Sequence, residues 1–248
     1  MNSQPAAPAH LAKGKAAEST DLIITRRHRL VTELGRPGGG VLLDFGCGSG
    51  AQTLLFAPQF TRTMAVDVDR AYIAECERRV AQAGLADRVR CIAYDGHTLP
   101  IDDRSIDFAV SFEVLEHVDD ETRALSELRR VLKPGGTLAM SVPNRWWIFE
   151  THGAALPLFP WNRVPFFSWL PKPLHDRWAR ARIYSRREIV RKLTAAGFDV
   201  RVAAYVTAPM DVVKHPRVRQ FLRRVLFRND RTRVPFLSTA VLAIAARR

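Results

Sequence analysis

The chain has 248 residues, with 38 Lys or Arg against 25 Asp or Glu, which gives a formal net charge of +13. This length lies within the range of single α/β domains, and no stretch approaches the roughly 20 apolar residues of a membrane-spanning helix. The three cysteines, Cys47, Cys76 and Cys91, lack Cys-x-x-Cys spacing, which argues against a disulfide framework or a zinc site and fits a reducing cytoplasm.

The first twenty residues are rich in Ala, Pro, Lys and Ser and contain no apolar core of signal-peptide length. We expect residues 1–20 to be a disordered leader. Residues 21–248 are then expected to form a single domain.

Residues 41–50, Val-Leu-Leu-Asp-Phe-Gly-Cys-Gly-Ser-Gly, join a short apolar strand to a glycine turn. Gly46, Gly48 and Gly50 remove Cβ atoms where the backbone bends sharply and approaches a ligand closely. The helix that begins near Gly50 offers free N–H groups at the same place. The segment therefore predicts a site for a nucleotide-like cofactor.

Strands and helices alternate after this turn. The predicted strands are residues 63–67, 88–93, 105–112, 137–142, 198–206 and 238–246. Helices are predicted over residues 70–83 and through 128–132. Another begins after Ser185, whose side chain forms a capping box with Glu188, and ends at Gly197. Asp69 is expected to cap the helix that begins at residue 70.

Several motifs in this order resemble the class I S-adenosylmethionine-dependent methyltransferases, specifically their methyltransferase-11-like and quinone-type members. The motifs are Asp44 before the Gly-x-Gly-x-Gly turn, the strand ending in Asp67, Tyr94-Asp95-Gly96, the run Glu113-Val114-Leu115-Glu116-His117-Val118 and the turn Lys133-Pro134-Gly135-Gly136. The resemblance spans roughly residues 30–205. It implies an α/β, Rossmann-like, doubly wound sheet of seven strands flanked by helices, in the order 3-2-1-4-5-7-6 with strand 7 antiparallel.

The resemblance also implies S-adenosyl-L-methionine as the cofactor. A nicotinamide dinucleotide is the main rival, but Ala51 stands where a pyrophosphate site prefers its third glycine. A carboxylate at the end of strand two accepts hydrogen bonds from ribose hydroxyls in nucleotide folds, which assigns this role to Asp67. By the family pattern, Asp95 and Gly96 lie at the adenine amino group, and Asp44 holds the methionine ammonium end or only stabilises the turn. The full predicted cofactor set is Asp44, Gly46, Cys47, Gly48, Gly50, Asp67, Val68, Asp95, Gly96 and Phe112.

All five tryptophans lie between Trp146 and Trp178, in a proline-rich segment that also holds four phenylalanines. This insertion, at about residues 143–183, follows strand five, where the family carries a lid over the acceptor site. The aromatic rings are expected to line an acceptor pocket or touch a membrane interface. The alternative is a small satellite core beneath a long loop.

The basic residues are concentrated near the carboxyl-terminal end, since residues 172–233 hold 17 Lys or Arg and 5 Asp or Glu. The insertion at about residues 207–237 includes an amphipathic helix after Pro216, with apolar residues at helical spacing and arginines around them. Residues 212–228 are therefore a candidate contact with an anionic membrane. The apolar stripe is alternatively expected to dock on the sheet or on the tryptophan lid, and a basic composition with solvated faces is the simplest interpretation.

A hydroxyl acceptor needs a base, and the candidate catalytic residues are His152, His117 and Glu150. We predict no bound metal. Glu150 and His152, two residues apart, nevertheless meet on one side of an extended segment and keep metal dependence open.

Phe112-Glu113-Val114-Leu115 stands where many amino-directed enzymes carry Asn-Pro-Pro-Tyr, which favours a small-molecule or lipid-like acceptor. The resulting prediction is in-line O-methylation of a hydrophobic or lipid-linked small molecule, by a cytoplasmic protein peripheral to the inner membrane face. An RNA methyltransferase using the basic surface is the first alternative, although no RNA-binding module is recognisable, so nucleic acid is the less favoured partner. A non-catalytic protein that binds S-adenosylmethionine is the second.

Overall fold

The computed structural model describes residues 21–149, 152, 165–211 and 213–248, so the predicted leader lies outside the described residues. One sheet holds β1 (Val41–Phe45), β2 (Arg62–Asp67), β3 (Val89–Ala93), β4 (Ile106–Phe112), β5 (Leu132–Pro143), β6 (Phe198–Thr207), β7 (Arg231–Thr232) and β8 (Ser238–Arg247). The helices are α1 (Leu22–Gly35), α2 (Ala51–Phe56), α3 (Arg70–Gln82), α4 (Glu121–Val131), α5 (Lys172–Trp178), α6 (Arg186–Ala195) and α7 (Pro216–Val225).

The sheet order is β3-β2-β1-β4-β5-β8-β6-β7. Strands β1 to β5 pair in parallel, and β8 lies antiparallel between β5 and β6. This confirms the Rossmann-like α/β class and the position of the antiparallel strand. The predicted count of seven strands is one too low, because the two-residue strand β7 pairs with Tyr205 and Val206 at the edge. A strand of two residues has no alternating pattern that a sequence could reveal.

Helices cover both faces of the sheet, so the central strands are buried on both sides and read as continuous apolar runs. On one face α4 and α6 contribute Leu125, Leu128, Ile189 and Leu193 to the larger core. On the other face, the first two helices contribute Leu30, Val31 and Phe56. This arrangement leaves the carboxyl ends of β1, β2 and β4 at one edge, where parallel sheets bind ligands.

Local capping starts the helices where the sequence predicts. Asp69 Oδ1 accepts a hydrogen bond from the N–H of Ala71 at 2.9 Å, at the start of α3. Ser185 Oγ accepts from the N–H of Glu188 at 3.2 Å, at the start of α6, and Gly197 follows that helix with a φ of +86°. Both cap predictions are confirmed.

The amino-terminal helix α1 is tied to the insertion that follows β6. Arg26 is buried, and its Nη1 donates to the carbonyl oxygens of Thr207 and Ala208 at 2.9 and 2.8 Å. The same guanidinium donates to the carbonyl of Phe227 and lies 3.3 Å from Asp230. These contacts tie α1 to the chain on either side of the segment 209–226, which holds α7. No helix in the described part of the chain is long and apolar enough to cross a membrane.

Candidate active site

The glycine turn after β1 has the geometry predicted from its sequence. Gly46 has a φ of +76°, and a Cβ there would stand 2.3 Å from a methyl carbon of Val114. Gly48, with a φ of +51°, would direct a Cβ into open space, with no atom within 4 Å. The first glycine therefore permits the turn to pack against the segment after β4, and the second leaves the backbone open for a ligand.

Asp67 lies beside this turn at the end of β2. Its Oδ2 accepts a hydrogen bond from the N–H of Gly48 at 2.9 Å, and its Oδ1 accepts from the N–H of Asp69 at the same distance. A carboxylate has about four lone-pair positions, so both oxygens still have capacity for hydroxyl donors. Asp67 thus fits a ribose while orienting the glycine turn that faces it.

Asp44 is buried within β1, and its Oδ2 accepts a hydrogen bond from Thr53 Oγ1 in α2 at 2.6 Å. Burial raises the pKa of Asp44 to about 7, with a smaller contribution from the nearby charge of Asp67. A cationic ammonium would stabilise the ionised form of such a carboxyl. The structure therefore fits both predicted roles, that of holding the turn and that of binding the ammonium end.

The adenine side of the predicted site lies after β2 and β3. Asp95 Oδ1 accepts hydrogen bonds from the N–H groups of Thr98 and His97 at 3.0 and 2.8 Å, and these bonds lower the pKa of Asp95. A Cβ on Gly96 would stand 3.4 Å from Val68, whose side chain is half exposed. An exposed valine beside a glycine forms an open apolar wall that fits a planar ring.

Two members of the predicted set pack against the core, Cys47 as a buried residue and Phe112 as a partly buried one. Cys47 is buried in a cluster with Cys76, and the hydrogen bond with that thiol together with burial raises the pKa of Cys47. Phe112 stacks on Phe56, with 6.2 Å between ring centroids. Their contact with a cofactor stays a prediction.

Beyond β4 the structure brings His117 and His152 together, with ring centroids 4.9 Å apart. Both lie over the buried carboxylate of Glu116, whose Oε1 is 3.8 Å from Nε2 of His152 and 4.0 Å from Nε2 of His117. Burial, with His152 and Arg182 nearby, lowers the pKa of His117 to about 4, so its ring is neutral at pH 7. The third predicted catalytic residue, Glu150, lies outside the described residues.

Glu113 begins this segment in a left-handed conformation with a φ of +57°. Such a backbone costs a non-glycine residue roughly 1 kcal/mol or more, and it persists here because the side chain is held. The buried Arg27 Nη2 lies 2.7 Å from Glu113 Oε1, and Ser141 Oγ donates to the same oxygen at 3.1 Å. Helix α1 thereby helps to shape the segment that carries Glu116 and His117.

Glu116, Arg27 and Thr53 are site residues that the sequence pattern did not predict. Glu116 stood beside His117 in a motif used only for the family resemblance, and this adjacency was the available signal. Arg27 and Thr53 lie in helices whose packing brings them to the site, and nothing in their local sequence marks them.

The aromatic segment divides into buried and exposed parts within the described residues. Trp147 packs with Met210 and Phe227, as the satellite-core alternative predicts. Trp146 and Trp169 are 39% and 40% exposed, and both rings contact Phe236, at 6.0 and 5.5 Å between centroids. Trp161 lies outside the described residues.

Comparison with known proteins agrees with this geometry. Residues 43–140 match a family model described as a methyltransferase domain. A protein of Mycolicibacterium smegmatis, named a probable S-adenosylmethionine-dependent methyltransferase, is 33% identical over 177 residues. The match covers 71% of this chain but only 59% of the length of that relative.

Two solved structures share the fold. The [4+2]-cyclase SpnF has a TM-score of 0.61 at 22% identity, over 90% of this chain and 81% of its own. A geranyl diphosphate methyltransferase in complex with S-adenosylmethionine has a TM-score of 0.60 at 19% identity, over 90% and 85%. At these identities the likeness establishes the fold alone.

One identification follows from the glycine turn, the carboxylates of Asp44 and Asp67, and the matched family model. This chain contains a class I S-adenosylmethionine-dependent methyltransferase domain.

Proposed function

We propose that the protein transfers a methyl group from S-adenosylmethionine to a hydroxyl oxygen of a hydrophobic or lipid-linked small molecule. One observation carries this proposal: the segment after β4 contacts both the glycine turn and the aromatic segment. His152, which follows the aromatic run Trp146 to Phe149, contacts His117 at the end of β4. The same segment after β4 packs Val114 against the glycine turn. The aromatic segment, the pair of histidines and the glycine turn are therefore adjacent in the structure.

The cofactor supplies an electrophilic methyl group on a sulfonium ion. The protein then has to align an acceptor oxygen, exclude competing water and remove the hydroxyl proton. The exposed rings of Trp146 and Trp169 offer an apolar surface that favours a hydrophobic acceptor. His152 is the base expected from the sequence, and the buried carboxylate beside it adds a second group to which the proton or an ion can bind.

The first test measures cofactor binding by calorimetry with S-adenosylhomocysteine. Asp67→Asn removes one charged acceptor at the predicted ribose position, and we expect at least a tenfold loss of affinity. Asp69→Asn is the matched control, because it makes the same change two residues away and Asn also caps helices well. Equal affinities in both variants would refute the assignment of Asp67.

The second test follows labelled methyl groups from S-adenosylmethionine into a lysate, with extraction into organic solvent. Label in the organic phase, lost in Asp67→Asn, is the result expected for an apolar acceptor. Label that stays in the aqueous phase and is released by nuclease would favour RNA methylation and contradict the proposal.

We also propose that α7 lies on an anionic membrane, which brings the enzyme to a lipid-linked acceptor. Val218, Phe221 and Val225 lie on one face of this helix and are 48%, 63% and 58% exposed. Leu222 of the same helix turns inward, against the cluster that holds Trp147 and Phe227. Within the described part of the chain, Leu222 is thus the residue of α7 that docks in the expected way, while the other three side chains face outward.

Charge supports an anionic partner for this face. Arg217, Arg219 and Arg224 lie on the same helix, and Arg228 follows it. Exposed apolar side chains surrounded by arginines are typical of helices that lie in the membrane interface. Together with three free cysteines, this supports a cytoplasmic protein at the inner membrane face.

Flotation with vesicles of phosphatidylglycerol and phosphatidylcholine at low salt tests the membrane contact. We expect the wild type to float, and Phe221→Ser with Val225→Ser to stay in solution. Leu174→Ser, which removes a 46% exposed leucine from α5, is the control that should float like the wild type. A wild type that stays in solution would refute the membrane contact and leave the methyl transfer untouched.

A further inference from the structure

Glu116, His117 and His152 direct one carboxylate and two imidazoles to a single point beside the end of β4. One possible ligand atom from each residue lies within 4.8 Å of the others. The carboxylate oxygen Oε1 is 3.8 and 4.0 Å from the two Nε2 atoms, too far for hydrogen bonds. The three groups converge without bonding one another directly.

Polar atoms at the centre of this cluster lack hydrogen-bond partners among the described residues. Glu116 is 0% exposed, and neither of its carboxylate oxygens has a hydrogen-bond partner among the described residues. The same holds for both ring nitrogens of His117. Arg182, the nearby guanidinium, instead donates to the carbonyl oxygens of Val118 and Asp119. Burying a carboxyl group whose oxygens have no hydrogen-bond partner is unfavourable.

A divalent cation satisfies this arrangement. A tetrahedral ion with bonds of about 2.1 Å holds its ligand atoms about 3.4 Å apart. The two separations to Glu116 need to shorten by about 0.4 and 0.6 Å to reach that value. The separation between the two histidine nitrogens, which is at most 4.8 Å, has to shorten with them. Two imidazoles and one carboxylate are a common set for first-row transition metals, and such a set leaves positions open for another ligand.

We propose that Glu116, His117 and His152 bind one divalent first-row transition-metal cation, whose open positions take the hydroxyl oxygen of the methyl acceptor. The binding of the cation is independent of the proposed function, but its role in holding the acceptor rests on O-methylation. The location supports that role, because Val114 of the same segment touches the cofactor turn.

The chemistry balances without an oxidant or a reductant. A hydroxyl bound to the cation releases its proton to water, because the positive charge stabilises the oxyanion. The oxyanion then forms a bond to the methyl carbon as the carbon–sulfur bond breaks, which yields a methyl ether and S-adenosylhomocysteine. The cation keeps its charge throughout. His152 acts as a ligand in this scheme and does not accept the proton.

Cobalt(II) is the probe for the binding test, because its visible absorption reports coordination. The full-length protein, without a histidine tag and stripped by a chelator, is titrated with Co²⁺ by absorption and by calorimetry. We expect one ion per chain, with visible absorption bands typical of Co²⁺ held by nitrogen and oxygen ligands at low coordination number. Glu116→Gln and His152→Ala are each expected to lower the affinity at least a hundredfold. His215→Ala, which removes an exposed histidine next to α7, is the control and should bind like the wild type.

Circular dichroism checks that both variants fold. Glu116→Gln keeps the shape of the side chain, and His152 lies outside the strands and helices, so at least one variant should fold. A wild type that binds no Co²⁺, or a folded variant that binds it unchanged, would overturn the site.

Methyl transfer from labelled S-adenosylmethionine, before and after chelation, separates the site from the proposed function. Transfer that stops on chelation and returns with a divalent ion supports the role of the cation. Unchanged transfer after complete metal removal would refute that role while the O-methylation stands. Stoichiometric Co²⁺ binding with no transfer to a hydroxyl would keep the site and refute the proposed function.

Discussion

Replacing Asp44 with Asn is expected to make the protein more stable above neutral pH and weaker in cofactor binding. The side chain is 2% exposed, and its Oδ2 accepts a hydrogen bond from Thr53 Oγ1 at 2.6 Å. The amide oxygen of Asn can accept the same bond, so the substitution removes the buried charge with little change of shape. Burial raises the pKa of Asp44 from 3.8 to about 7.

The magnitude follows from proton linkage. Between these two pKa values the unfolded chain has lost the Asp44 proton and the folded chain retains it. The free energy of unfolding of the wild type therefore falls by about 1.4 kcal/mol for each pH unit in this window. The total is about 4 kcal/mol, of which about 2.5 kcal/mol falls between pH 5 and pH 8. The amide that replaces the carboxyl in the variant does not titrate, so the variant lacks this loss.

Urea unfolding of wild type and Asp44→Asn at pH 5, 6, 7 and 8, followed by tryptophan fluorescence, measures the difference directly. We expect the free energy of unfolding of the wild type, minus that of the variant, to fall by about 2.5 kcal/mol from pH 5 to pH 8. Asp102→Asn is the control, since Asp102 is exposed and its difference should stay within about 0.5 kcal/mol. Calorimetry with S-adenosylhomocysteine should show at least a tenfold weaker affinity for Asp44→Asn. A stability difference that does not change with pH would refute the reasoning.

Three further substitutions test the site and its support. Gly46→Ala places a Cβ 2.3 Å from a carbon of Val114 and at a positive φ. We expect urea unfolding to show that the free energy of unfolding falls by about 3 kcal/mol. Gly48→Ala meets no atom, so calorimetry should show a large loss of cofactor affinity, with a stability loss of only about 1 kcal/mol; equal stability losses at both glycines would contradict the distinction. Arg27→Met leaves Glu113 without its ion-pair partner at 2.7 Å, so thermal unfolding should show a loss of about 2 kcal/mol in the free energy of unfolding. An unchanged stability would show that this ion pair contributes nothing to the fold.

Much of the cofactor half could be read from the sequence because its signals are local. A glycine turn needs glycines at particular backbone positions, and Asp67 follows a strand whose carboxyl end has to lie beside that turn. The caps at Asp69 and Ser185 are formed by side chains within three residues of the groups they bind. Alternating strands and helices then leave few ways to arrange a parallel sheet.

The acceptor side depends on contacts between distant parts of the chain, which sequence patterns do not encode. His152 meets Glu116 and His117 only because the chain returns from β5 to the end of β4. Amphipathic spacing predicts a helix at α7 but does not say which of its apolar residues find partners, and the packing leaves Phe221 exposed while Leu222 turns inward. The sequence by itself determined the sheet and the cofactor turn, because these follow from backbone geometry and short-range hydrogen bonds. Only the tertiary structure decided which charged and polar side chains share a buried site, because that depends on how separate elements pack.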